Sequence, residues 1–188
     1  MIQRMRLLRS QCLVCVLAAM SGARVLSAEP PPSAADVPLH NRADQREPAP
    51  RPDASSAERR AKLLFDAIVH DDPARAEDAF FPRSAFLLVK DIPNPGQYYD
   101  QLHKRFISDI RALHRKLPDP ADAHFERFEL ARRGAFMRVR DEGNRLPYWA
   151  SRHSVLHYTS KGRAQQLEVR VLITWDDQWY VVHLNEFH

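Results

Sequence analysis

Two imidazoles and a guanidinium on neighbouring strands form the first candidate for chemistry. His153, Arg170 and His183 lie in stretches that alternate apolar and polar residues. Two short turns fix how those stretches pair. A two-residue turn at Asp176-Asp177 pairs Ile173 with Tyr180, Val171 with Val182 and Val169 with Leu184. All the large apolar residues then share one face, and that constraint sets register. The same register places Arg170 opposite His183. A turn at Lys161-Gly162 pairs Leu156 with Leu167 and Ser154 with Val169, which sets His153 beside Arg170. Two imidazoles flanking a guanidinium suit an anion, because arginine offers a forked donor set for carboxylate or phosphate. The positive charge also favours neutral imidazole, the form a general base needs. The alternative is an ordinary polar outer face in which Glu168 pairs with Arg170.

A second candidate is a pocket between the sheet and the longest helix. Tyr98, Tyr99, Asp100, His103, Tyr148 and Trp149 are placed to face it. Tyr99 also fits plain core, with its hydroxyl reaching the pocket edge. Tyr148-Trp149 either rims a ligand site or packs on the helix.

Other chemistries find little support. His153 and His157 with His183 would suit zinc or copper, but no acidic fourth ligand is placed, so no metal is assigned and no cofactor is implied. The chain has five glycines, and no phosphate-binding loop, Gly-x-Ser-x-Gly elbow or His-Glu-x-x-His motif. Asp71-Asp72 and Asp176-Asp177 are carboxylate pairs at turns, where they read as solvated caps.

The elements that must position these residues follow from periodicity. Ser55 and Glu58 fit a capping box. Ala57, Ala61, Leu64, Phe65 and Ile68 then recur at helical spacing. Asp71-Asp72-Pro73 stops that helix and starts a short second one that runs to Phe80-Phe81-Pro82. Phe86-Leu87-Leu88-Val89 is expected as a strand, and Ile92 to Gly96 as a loop. Tyr99, Leu102, Phe106, Ile110, Leu113 and Leu117 form the stripe of one long amphipathic helix, ended by Pro118 and Pro120. From His124 onward the chain reads as strands, with Phe128 and Leu130 on one face and Phe125 on the other. Helices followed by an antiparallel meander imply an α+β domain, with a curved sheet and two to three helices on one face.

This order resembles the cone-shaped nuclear transport factor 2-like fold, which includes the SnoaL-like and ketosteroid-isomerase-like proteins. The resemblance spans about residues 56–188 and rests on the closing Val171-Leu-Ile-Thr-Trp-Asp-Asp-Gln-Trp-Tyr-Val-Val-His183-Leu hairpin. It implies a cavity between helices and sheet, where enzymes of the fold use Asp and His, or Tyr and Asp. The stretch Arg145-Leu-Pro-Tyr-Trp-Ala-Ser-Arg-His153 also resembles a family of exported bacterial proteins, which implies export and no particular chemistry.

Export is written into the first residues as well. Residues 1–28 read as a cleavable signal peptide: Arg4, Arg6 and Arg9, then nine apolar residues from Cys12 to Met20, then small residues before cleavage at Ala23 or Ala28. Nine residues span roughly half of a ~30 Å hydrocarbon core, too few for a transmembrane helix. Both cysteines, Cys12 and Cys15, lie in this run, so the mature chain has no disulfide or thiolate chemistry. Four of the 28 basic residues lie within residues 1–28 and none of the 24 acidic ones does, so the mature domain is nearly neutral. That argues against a nucleic-acid-binding surface. Residues 29–54 hold seven of the 14 prolines and read as a disordered linker or tether. Residues 55–188 are the domain. The leading expectation is a periplasmic or extracellular non-catalytic domain that binds a small molecule, peptide or envelope partner. A cone-fold lyase or isomerase is the alternative. A third is a homodimer packed through Leu172, Val181 and Trp179.

Overall fold

Helical periodicity in the first half and twofold alternation in the second produce the two layers expected. The computed structural model describes residues 35, 37–44 and 48–185. Residues 1–28, expected as a signal peptide, lie outside them. Helices α1 (Ser55–His70), α2 (Arg83–Val89) and α3 (Pro95–His114) precede strands β1 (His124–Glu129), β2 (Gly134–Met137), β3 (Tyr148–Ser160), β4 (Arg163–Trp175) and β5 (Gln178–His183). The sheet is antiparallel, in the order β1-β3-β4-β5, with β2 also paired to β3. The fold is α+β, with the helices against one face of a curved, open sheet.

The helices bury their predicted stripes. Ala57, Ala61, Leu64, Phe65 and Ile68 of α1 and Tyr99, Leu102, Phe106 and Ile110 of α3 are in the core. The capping box does not form. Asp53 instead accepts from both the backbone N and the hydroxyl of Ser55, at 2.8 and 2.6 Å, and Glu58 pairs with Lys62. A charged carboxylate two residues upstream is the stronger acceptor. Asp71 ends α1 in left-handed backbone, and Asp72 caps a 3-10 turn, Pro73–Ala79, in place of a second α-helix.

The run Phe86–Val89 is helix rather than strand. Ala85, Phe86 and Val89 are buried, a spacing that fits a helical turn, and a four-residue apolar run cannot distinguish the two by itself. The loop before α3 is also shorter than expected, because Pro95 occupies the first helical position.

Two bulges change the sheet. One between Phe125 and Arg127 lets Phe125 join the helix side, with its ring 6.1 Å from that of Phe65. The other comes after correct pairings of Leu156 with Leu167, Ser154 with Val169 and Ile173 with Tyr180. Leu172 pairs with Val181, but Val171 then pairs with His183, so Val182 is an extra residue. The expected Val171–Val182, Val169–Leu184 and Arg170–His183 pairings therefore do not form. A bulge re-aims the side chains beyond it. Here it lets both Val182 and Leu184 stay buried.

The described part of the 29–54 segment is packed on the sheet face opposite the helices. By register, Trp149, Thr174 and Trp179 are cross-strand neighbours on that face. The carbonyl of Ala49 accepts from the Trp149 indole at 2.8 Å. The carbonyls of Pro52 and Asp53 accept from the Trp179 indole at 3.3 and 3.0 Å. Arg51 lies 5.4 Å from the Trp179 ring centroid and donates to the carbonyls of Ala131 and Arg132. Asn41 is buried, donating to the Pro147 carbonyl and accepting from the Asp176 amide. Proline content points to a free tether because it offers little apolar surface. The segment holds instead through carbonyls that satisfy two indole N–H groups, and proline lowers the entropy lost on ordering. Leu172, Val181 and Trp179, the residues considered for a sheet-face dimer, are 1%, 1% and 0% exposed within a single chain.

Candidate functional site

A cavity of about 630 Å³ opens between α2, the first half of α3 and the sheet. Its walls are apolar: Phe86, Leu102, Val171, Ile173 and Val182, with Ile92, Pro93 and Tyr98 also lining it. It also carries five polar side chains, Lys90, Glu142, Tyr148, Arg152 and His183. Each arrives by a different route. Lys90 caps the C-terminus of α2. Tyr148 and Arg152 are four apart on β3 and so share its helix-side face. The β5 bulge delivers His183 beside them.

Glu142 comes from the Arg138–Arg145 loop, which is held in an unusual conformation. Arg140, Glu142 and Gly143 all have left-handed backbone, with φ of 75°, 54° and 64°. Buried Asn144 donates to the carbonyls of Arg138 and Leu146, and Gly143 and Val89 carbonyls accept from Asp91 and Arg145. These bonds pin the loop to the end of α2. A sterically costly backbone held at a cavity by its surroundings is a pattern associated with function.

The polar groups form a connected chain. Lys90 Nζ donates to the Tyr148 hydroxyl at 3.2 Å and to the Glu142 carbonyl at 3.2 Å. The Tyr148 hydroxyl donates to Glu142 Oε2 at 3.2 Å, and Arg152 pairs with Glu142 Oε1. Burial, reinforced by the Glu142 carboxylate, pushes the Tyr148 phenol well above its ordinary range, so it remains a donor at neutral pH. Burial lowers the Lys90 ammonium, with Glu142 opposing. His183 is lowered to about 4, first by burial and then by the charges of Arg105, Arg152 and Lys90, against Glu142. Its imidazole is therefore neutral at pH 7. The helix–sheet interface is thus open and partly polar; a closed, wholly apolar one would have opposed the enzyme alternative.

Of the residues singled out from sequence, Tyr98, Tyr148 and His183 line this cavity. Tyr98 is 38% exposed and stacks on Phe86. Tyr99 lies in the core against Phe80 and Phe86, and burial raises it to about 12. His103 is directed to the Glu77 carboxylate, 2.9 Å away. Trp149 faces the opposite side of the sheet, against Phe136 and the Ala49 carbonyl. The row of three is broken. His153, in left-handed backbone, bonds Glu168 at 2.8 Å, and Arg170 lies 3.6 Å from the same carboxylate. Glu168 thus joins those two, as the polar-face alternative had it for Arg170, while the bulge carries His183 to the cavity. Arg170 instead borders a second cavity of about 370 Å³, lined also by Phe65, Leu113, Leu117 and Leu184.

Sequence reasoning missed Lys90, Glu142 and Arg152. Extending the β3 alternation from Tyr148 would have found Arg152. Nothing in the sequence marks Glu142, whose position depends on a loop held by long-range bonds.

Among the described residues, no cluster of three or more His, Cys, Asp or Glu side chains is arranged to hold a metal ion. No helix among them is long and apolar enough to cross a membrane. The chain matches no family model, no curated protein and no solved structure.

Proposed function

We propose that this is an exported, non-catalytic binding domain for a small amphipathic molecule. The apolar body of that molecule fills the cavity under α3, and its oxygen-bearing head meets Lys90, Tyr148, Arg152 and His183. The observation that carries the reading is the cavity itself: about 630 Å³, apolar on its walls, with a connected polar cluster in its lining. Ligand sites of roughly 300–1,000 Å³ commonly pair a hydrophobic lining with a few placed polar groups. Two cations and one carboxylate give the polar cluster a net positive charge, and Tyr148 adds a neutral donor. A carboxylate or carbonyl oxygen suits that set, whereas an ammonium head would meet repulsion. The sequence resemblance to the cone fold, which implies a cavity between helices and sheet, and the signal-like residues 1–28 support the reading from the sequence side.

Octanoate tests it. Calorimetry at pH 7 is expected to give saturable one-to-one binding. Leu102→Trp, which grows into the cavity, is expected to weaken binding about tenfold or more. Absence of binding, or equal binding by the Leu102→Trp variant, would sink the proposal.

A further inference from the structure

We propose that Lys90 captures an aldehyde or ketone ligand in this cavity as an imine. The inference rests on the reading of the cavity as a ligand site and assigns the chemical class of the head group.

Lys90 differs from every other lysine in the chain. Lys62, Lys104, Lys116 and Lys161 are exposed, whereas Lys90 is partly buried and lines the cavity beside Phe86 and Tyr148. Imine formation needs an unprotonated amine, and the imine lasts only where water is scarce. Burial lowers the proton affinity of Lys90, which supplies the first condition in part. The apolar walls supply the second in part.

Geometry orients the amine. As a neutral group Lys90 donates two hydrogens, to the Tyr148 hydroxyl and to the Glu142 carbonyl, each at 3.2 Å. The chain carbon takes a third tetrahedral direction, and the lone pair takes the fourth. Both oxygens of the Glu142 carboxylate have other partners, Arg152 and Tyr148. The carboxylate therefore reaches Lys90 through the Tyr148 hydroxyl, a relay able to accept a proton from the amine and return it.

The step balances without an oxidant or reductant. The nitrogen lone pair forms a bond to the carbonyl carbon, and the π pair moves to oxygen. The nitrogen gives one proton to the Tyr148–Glu142 relay, which returns it to that oxygen, leaving a neutral carbinolamine. The second nitrogen proton passes by the same relay to the departing hydroxyl, which leaves as water while the electron pair left on nitrogen forms the C=N bond. One amine and one carbonyl give one imine and one water.

The test uses 3-phenylpropanal with cyanoborohydride at pH 7 on the full chain, read by peptide mass mapping. Reduction of the imine adds the probe less one oxygen atom. Lys90 is expected to be labelled about tenfold faster than any of the four exposed lysines. The isosteric acid, 3-phenylpropanoate, is expected to slow labelling at Lys90 and leave the others unchanged. Lys90→Arg is expected to lose the preferred label. Labelling no faster at Lys90 than at the surface, with the acid still perturbing the Val171 and Ile173 methyl signals, overturns the imine and leaves the cavity reading standing. Absence of both the label and the perturbation overturns both.

Discussion

Residues 54–188 are expected to be about 4 kcal/mol less stable than residues 35–188, measured by urea unfolding at pH 7. Removing residues 35–53 uncovers the Trp179 side chain, which is fully buried, and part of Trp149. Exposing on the order of 100 Å² of apolar surface costs about 2.5 kcal/mol at 25 cal/mol per Å². The two indole N–H groups also lose their carbonyl acceptors, at about 1 kcal/mol each once water takes their place. The cation–π contact of Arg51 and the buried Asn41 add to this, against the entropy regained by the freed segment. A smaller probe is Asn41→Ala, which leaves the Pro147 carbonyl and the Asp176 amide without their partner. Equal stability of the two truncations would mean that the segment rests on the sheet without supporting it.

Acid is expected to expose the burial of His183. An unfolded imidazole titrates near its ordinary 6.5, whereas the native one is held at about 4 by burial and by Arg105, Arg152 and Lys90, against Glu142. Above pH 6.5 both states are neutral and the group is silent. Between 6.5 and 4 the unfolded chain takes up a proton that the native state refuses, so stability falls as pH falls. Below 4 both are charged and the loss levels off. The full shift corresponds to about 3 kcal/mol, and partial exposure reduces that to about 2 kcal/mol. His183→Gln is therefore expected to lose about 2 kcal/mol less than the parent between pH 7 and pH 4.5. Other titrating groups act alike in both proteins and cancel in the difference. Parallel pH profiles would show that His183 is solvated.

The layers were legible because they rest on long patterns. The α3 stripe and the β4 alternation each extend over many residues, and the turns at Lys161-Gly162 and Asp176-Asp177 fixed the first pairs beyond them. Short runs were not legible. Phe86–Val89 fits either a strand or one helical turn, and only its packing decides. The site was partly legible for the same reason. Tyr148 and His183 were visible as polar residues within patterned strands. Strict alternation nonetheless puts His183 on the wrong face, because a single extra residue, Val182, reverses the facing of His183. The packed prolines show a further limit. Composition reports how much apolar surface a segment can bury, but not whether its carbonyls meet buried donors elsewhere in the chain.

The most direct test of the binding proposal is a methyl NMR titration with octanoate, with valine, leucine and isoleucine labelled. Saturating shifts at Val171, Ile173 and Val182, with Leu167 and Leu184 of the second cavity unmoved, are expected. No shifts at the first three, or shifts confined to Leu167 and Leu184, would contradict the assignment of the cavity beneath α3 as the ligand site.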